Sequence, residues 1–155
     1  MLARGVRFAV GCVVCLVLPV FVVGCEDTVT TPTNSAPFSL TDVRVGTGPQ
    51  AATGSTLSVN YAGWFYDGTK TDQKGVQFTT STGVGPLEFV LGAGTVIEGW
   101  EQGVVGMRVG GLRRLIIPPS MAYGTGRYGV IPGNSTLVFE IELLAIPTAE
   151  AVGSR

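Results

Sequence analysis

Side chains that donate protons, attack carbonyls or bind metals are scarce in this chain. None of its 155 residues is histidine, which removes imidazole as a general base, a metal ligand or a switch near neutral pH. All three cysteines fall at Cys12, Cys15 and Cys25, so the long remainder has neither thiolate chemistry nor a disulfide of its own. Cysteine–histidine, serine–histidine–aspartate and zinc arrangements fail at the first step, and neither a metal nor a cofactor is expected. What stands out instead is aromatic: Tyr61, Phe78, Trp100, Tyr123 and Phe139. Tyr123 opens a glycine-rich loop, Tyr123-Gly124-Thr125-Gly126-Arg127, and loops carry function more often than packing. Tyr61 and Phe139 lie on the inward faces of strands, where core packing is an equally good account, as it is for Trp100.

The elements that must hold these residues are read from periodicity. Leu57, Val59, Tyr61 and Phe65 alternate with Ser58 and Asn60, and Leu137, Phe139, Ile141 and Leu143 alternate with Glu140 and Glu142. Each pattern predicts a half-buried antiparallel strand. Leu115 with Ile117 gives a third strand, and Leu87, Phe89 and Leu91 a fourth. Over Thr95–Val105 the alternation stops, and Val96, Ile97, Trp100 and Val104 recur at three- and four-residue spacing, which predicts a short helix. Thr95 followed by Glu98 has the form of a capping box. Gly99 and Gly103 inside that helix lower its intrinsic propensity, so packing must hold it. One short helix laid on a curved antiparallel sheet is an α+β architecture.

The length suits one domain with a leader. With 23 glycines, 45% apolar and 14% charged residues, the composition fits a turn-rich β protein better than a helix bundle. Without Arg4 and Arg7 the chain keeps 8 basic residues against 11 acidic ones, so nucleic acid is not an expected partner. Met1–Arg7 has two arginines and no acid, and Phe8–Val23 is a run of apolar and small residues broken by Pro19, the pattern of a secretory signal. Val22-Val23-Gly24-Cys25 resembles the bacterial lipobox. That resemblance implies diacylglycerol on Cys25, cleavage after Gly24 and a further acyl chain such as palmitate on the new terminus. The segment that follows, Glu26–Ala36, has one valine as its only large apolar residue and cannot offset the entropy of ordering. The expected organisation is a signal peptide over 1–24, a lipidated cysteine and tether over 25–37, a domain over 38–147 and a tail over 148–155. The expected location is the bacterial cell envelope, on the periplasmic or outer side of a membrane. No heptad, paired cysteine or long exposed apolar run argues for oligomerisation, and a monomer is expected.

Several stretches in order carry a family resemblance: Val59-Asn60-Tyr61-Ala62-Gly63, Leu91-Gly92 with Val96-Ile97-Glu98-Gly99-Trp100, Gly103-Val104-Val105-Gly106-Met107, Ile117-Pro118-Pro119, Ala122-Tyr123-Gly124 and Leu137-Val138-Phe139. Together they resemble the FKBP-type peptidyl-prolyl cis/trans isomerases. The resemblance implies an antiparallel β half-barrel wrapped around one short α-helix, with a prolyl pocket between helix and sheet. It makes Trp100 the pocket floor, Tyr61, Phe78 and Phe139 its walls, and Val96 and Ile97 its entrance, with the Ile97 backbone N–H binding a substrate carbonyl. It gives the Tyr123 hydroxyl to the twisting amide or its neighbour, and closes the pocket with Val130 and Ile131. Leu87 takes the place of a frequent aromatic. The family usually has an aspartate directly after the phenylalanine matched by Phe78; here that position is Thr79, and Asp72 is the other residue that could fill the slot. Implied partners are proline-containing polypeptides, macrolide inhibitors and, through Cys25, the membrane. A second reading keeps the same pocket for holding a proline-containing segment without turnover.

Overall fold

The computed structural model describes residues 34–147. The expected signal peptide over 1–24, Cys25, the tether as far as residue 33 and the tail over 148–155 lie outside the described residues. Six strands form one sheet: β1 (Ser39–Arg44), β2 (Thr56–Tyr66), β3 (Lys74–Thr80), β4 (Leu87–Val90), β5 (Leu112–Ile117) and β6 (Leu137–Ala145). Their order is β1-β5-β6-β2-β3, with β4 also on β2, and all pairs are antiparallel. A single α-helix, α1 (Glu98–Gly103), lies against the sheet, followed after β5 by a 3₁₀ turn at Pro119–Met121. This is the open α+β half-barrel expected from the alternating runs.

Strand β2 is long enough to take two partners on one edge. Its first half pairs with β4, from Thr56↔Val90 to Val59↔Leu87, and its second half with β3, from Ala62↔Thr80 to Tyr66↔Lys74. The gap between β3 and β4 is filled by the buried Ser81, whose hydroxyl accepts the Tyr61 N–H at 2.9 Å. Register breaks on either side of Trp64 bend β2 where it meets β3, as bulges do by raising local twist. The inward residues Leu57, Val59, Leu115, Ile117, Leu137, Phe139, Ile141 and Leu143 are all buried in one core. Outward, Glu140 and Glu142 are not simply solvated. Glu140 takes Lys74 at 2.7 Å and Arg114 at 2.9 Å, and Glu142 pairs with Arg44. Partial burial pushes the Glu140 carboxyl up, but the hydrogen bonds from Lys74 and Arg114 outweigh it and hold the group below the usual carboxylate range.

The helix is shorter than the periodicity suggests. It starts after Ile97, whose extended backbone is the N-cap, and no side chain caps it; the capping box of Thr95 and Glu98 does not form. The preceding loop is held in another way. The Glu101 carboxylate accepts the backbone N–H groups of Gly92 and Gly94, both at positive φ, which folds the loop back on the helix and leaves Thr95 two residues short of the cap. Glu98 instead accepts Gln102 Nε2 one turn on, at 2.9 Å. At the other end Arg113 reaches from β5 to donate to the carbonyls of Gly103 (2.8 Å) and Val105 (3.0 Å), satisfying groups that a helix terminus leaves unpaired. Its remaining nitrogens clamp the Asp42 carboxylate on β1. The hydrogen bond from Arg113 holds that carboxyl below its ordinary range, against a small opposing effect of burial.

Gly99 and Gly103 are the face of α1 that meets β5. A Cβ on Gly99 would lie 2.4 Å from Ile117 Cγ2, and one on Gly103 would lie 2.5 Å from Leu115 Cδ1. The helix is therefore pressed on the sheet more closely than any side chain allows. Gly99→Ala improves intrinsic helix propensity by about 1 kcal/mol, yet is expected to destabilise the domain by about 1–3 kcal/mol through overpacking. A lower urea midpoint at unchanged m-value is the expected observation.

Candidate active site

The close approach of α1 sets Trp100, the residue after Gly99, into the space enclosed by β2, β3 and β6. Its side chain is 4% exposed and edge-packed by two rings, Tyr61 at 5.2 Å and 75° and Phe139 at 5.3 Å and 86° between centroids and planes. Phe78 stands at 5.7 Å and 85° from Phe139, and Phe65 backs Phe78 at 5.0 Å. Near-perpendicular pairs place the positive edge of one ring on the negative face of the next, and each adds to the burial energy. Phe139 has room because Gly63 of β2 lies opposite it; a Cβ there would fall 2.6 Å from the Phe139 ring.

Above this floor is a cavity of about 540 Å³. The ten candidates named from the sequence, Tyr61, Phe78, Leu87, Val96, Ile97, Trp100, Tyr123, Val130, Ile131 and Phe139, all line it. Leu87, on the same face of β4 as the buried Phe89 but at the strand's start, is 37% exposed at the rim. Val130 is exposed beside Ile131, which reaches into the core. Four lining residues were not among the candidates: Thr79, Thr95, Tyr128 and Gly129. Thr79 holds the position directly after Phe78, with Asp72 the alternative for that slot, and the two are placed differently. Thr79 lines the cavity, whereas Asp72 is in the β2–β3 turn, exposed, accepting the Lys74 N–H. Tyr128 was legible only as a loop-tip residue, since nothing in its spacing ties it to Tyr123.

Among the described residues, no acidic or basic side chain lines the cavity. Its polar groups are hydroxyls, backbone and the Trp100 indole N–H, which is buried without a hydrogen-bond partner among the described residues. The Tyr123 hydroxyl and the Ile97 N–H find no partner among the described residues, and both are available to a ligand. Burial, followed by the proximity of Tyr128 and Tyr61, pushes the Tyr123 phenol up from its usual value near 10.0, so it stays a neutral donor across the physiological range. Among the described residues, no group of His, Cys, Asp and Glu side chains is placed to hold a metal.

A half-barrel closed by one helix around an open, mainly aromatic and aliphatic cavity, with hydrogen-bond donors left free and no charged side chain among the described residues, is suited to enclosing an apolar ligand segment. Residues 48–144 match the family model of the FKBP-type peptidyl-prolyl cis-trans isomerases. The chain is 46% identical over 105 residues to FK506-binding protein 1 of Aspergillus oryzae, covering 65% of this chain and 90% of that protein. It is 43% identical over 106 residues to the FK506-binding protein of Neisseria meningitidis serogroup B, covering 68% and 92%. Among solved structures, a peptidyl-prolyl cis-trans isomerase of Pseudomonas syringae pv. tomato superposes with a TM-score of 0.59 at 34% identity, covering 74% of this chain and 80% of that one. The chain belongs to the FKBP-type peptidyl-prolyl cis/trans isomerase family, and it is an enzyme of that type.

Among the described residues, tyrosines are the only titratable groups lining the cavity, and the shift resolved for Tyr123 is upward. The specificity constant is therefore expected to be flat from about pH 5 to pH 9, in contrast to the bell that a general acid and base would give. A profile with a limb between those limits would show a titrating group where none stands.

Proposed function

We propose that this isomerase is a lipid-anchored catalyst of proline-limited folding for exported polypeptides, and that Tyr61, Phe78, Ile97, Trp100, Tyr123 and Phe139 do its chemistry. The observation that carries the mechanism is that, among the described residues, no charged side chain lines the cavity wall. Rotation about an X–Pro bond meets a barrier of about 18–20 kcal/mol, because planarity preserves the partial double bond. Twisting removes that resonance and leaves a less polar carbonyl. A dry aromatic enclosure accepts the twisted amide more readily than the planar one, and each 1.36 kcal/mol of that preference is about tenfold in rate.

In this reading the proline ring rests on Trp100 between Tyr61, Phe78 and Phe139. Val96, Leu87, Val130 and Ile131 exclude water around it. The Ile97 N–H takes a substrate carbonyl, and the Tyr123 phenol donates to the carbonyl of the rotating amide or its neighbour. Thr79 supplies a hydroxyl where relatives usually place a carboxylate, which keeps the wall uncharged. The same aromatic box and two donors suit macrolide inhibitors of the kind for which the Aspergillus and Neisseria relatives are named.

The anchor rests on Val22-Val23-Gly24-Cys25 behind a signal-like leader. Acyl chains worth about 0.8 kcal/mol per buried methylene hold a protein at the membrane stably when two or more are present. Clients would then be proteins emerging within reach of a short tether, whose prolines otherwise isomerise over tens of seconds.

In a protease-coupled proline peptide assay the purified protein is expected to accelerate isomerisation. Tyr123→Phe should lower the rate by the worth of one hydrogen bond, about 0.5–1.5 kcal/mol. Trp100→Ala should lower it further, since it opens a cavity besides losing a contact. A folded but inactive Tyr123→Phe would refute the enclosure mechanism, and peptide binding without acceleration by the wild type would favour the holding role. For the anchor, cells fed a clickable fatty acid should label the wild type and not Cys25→Ala; equal labelling of the two would exclude Cys25 as the acylated residue.

A further inference from the structure

Tyr123 and Tyr128 are the two rings of the cavity that stack face to face, with centroids 4.5 Å apart and planes at 12°. Every other aromatic pair in the domain is tilted or edge-on. The stack matters because no hydrogen bond among the described residues orients the Tyr123 hydroxyl. Its backbone is pinned by neighbours: the Gly124 N–H donates to the Pro119 carbonyl at 2.8 Å, and Asn134 N–H donates to the Gly124 carbonyl at 2.9 Å. The ring packs partly against the core, and the face of Tyr128 adds a flat restraint on its orientation.

Tyr128 is itself held firmly for a residue 63% exposed. Tyr128 and Ile131 exchange both backbone hydrogen bonds at 2.9 Å, closing a two-residue turn with Gly129 first at φ 56. That is the position at which a tight hairpin turn takes glycine. Ile131, the other end of the turn, is 4% exposed in the core. Core packing thus fixes Ile131, Ile131 fixes the Tyr128 backbone, and the Tyr128 ring faces Tyr123.

We propose that Tyr128 is a positioning residue of this enzyme, whose stacked ring fixes the direction in which Tyr123 presents its hydroxyl to the substrate carbonyl. The inference rests on the isomerase activity and the Tyr123 role given above. It makes an exposed loop residue part of the catalytic geometry without direct contact with the rotating bond. It also assigns the turn at Gly129 a purpose beyond connection.

The test is a double-mutant cycle on the purified full chain, read as kcat/KM on a proline peptide. Tyr128→Ala is expected to lower the constant about two- to tenfold, the rate equivalent of one aromatic pair. Tyr128→Phe, which keeps the stack, should recover most of that loss. Gly129→Ala, which strains the turn but removes no ring, should shift the constant in the same direction as Tyr128→Ala. In a Tyr123→Phe background Tyr128→Ala should cost little, because no hydroxyl is left to aim. NMR of ring-labelled tyrosine gives a readout independent of turnover: with Tyr128 removed, and Tyr61 the other titratable group bearing on it, the Tyr123 phenol should ionise at lower pH than in the wild type. Equal losses in both backgrounds would overturn the proposal by placing Tyr128 on the substrate itself. An unchanged rate with an unchanged titration would overturn it by showing that the stack orients nothing. A wild-type chain without activity would strike the isomerase role, while the titration would still report the stack.

Discussion

The architecture depends on one close contact, the glycine face of α1 against β5. Gly99 against Ile117 and Gly103 against Leu115 leave no room for even a methyl group. Those two glycines weaken the helix as a helix, and a six-residue helix has almost no stability of its own. The other restraints tie it to its surroundings: its own Glu101 holds the loop ahead of it, and Arg113 of β5 takes the carbonyl of Gly103. Local propensity has been given up for distance, and distance is what matters here. If the helix stood off by one side-chain layer, Trp100 would no longer reach the rings of β2 and β6.

From that placement follows the nature of the site. Trp100 meets Tyr61 and Phe139 at steep angles, Phe139 meets Phe78 nearly at a right angle, and each ring is wedged by the next. Interlocking of this kind fixes a cavity shape without polar side chains, which suits a reaction whose transition state differs from its ground state in geometry and polarity rather than in charge. The few polar groups are placed at the margins, where a peptide backbone passes. Charged residues are kept for the opposite face of the sheet, where Lys74, Arg114 and Glu140 bind β3, β5 and β6 together.

Alternation in the sequence exposed the inner strands and the cavity residues they carry, because over much of β2 and β6 every second residue faces the core, although Ser58 and Val138 are buried on the other face as well. Strand β1 left no such trace: all six of its residues are exposed, with Leu40 at 46% and Val43 at 52%, since it lies at the sheet edge and is recruited by pairing rather than by burial. Strand β3 is similarly obscured by its register breaks. The helix was legible from Val96, Ile97, Trp100 and Val104, but its start was not, because Glu101 reaches across the chain to satisfy Gly92 and Gly94 in a way no short motif records. The choice between Thr79 and Asp72 turned on where β3 begins. Tyr128 escaped notice because a stacked, exposed ring depends on loop geometry that spacing does not encode.

Arg113 has a mechanical aspect. It joins Asp42 on β1 to the carbonyls of Gly103 and Val105 at the end of the helix, and β1 is the first strand among the described residues. A pull entering the domain at Ser39 would load β1, and it would reach the element that carries Trp100 both through this guanidinium and through the β1–β5 pairing, since β5 packs directly on the helix. The edge strand is thus a strut between the first described residues and the floor of the cavity.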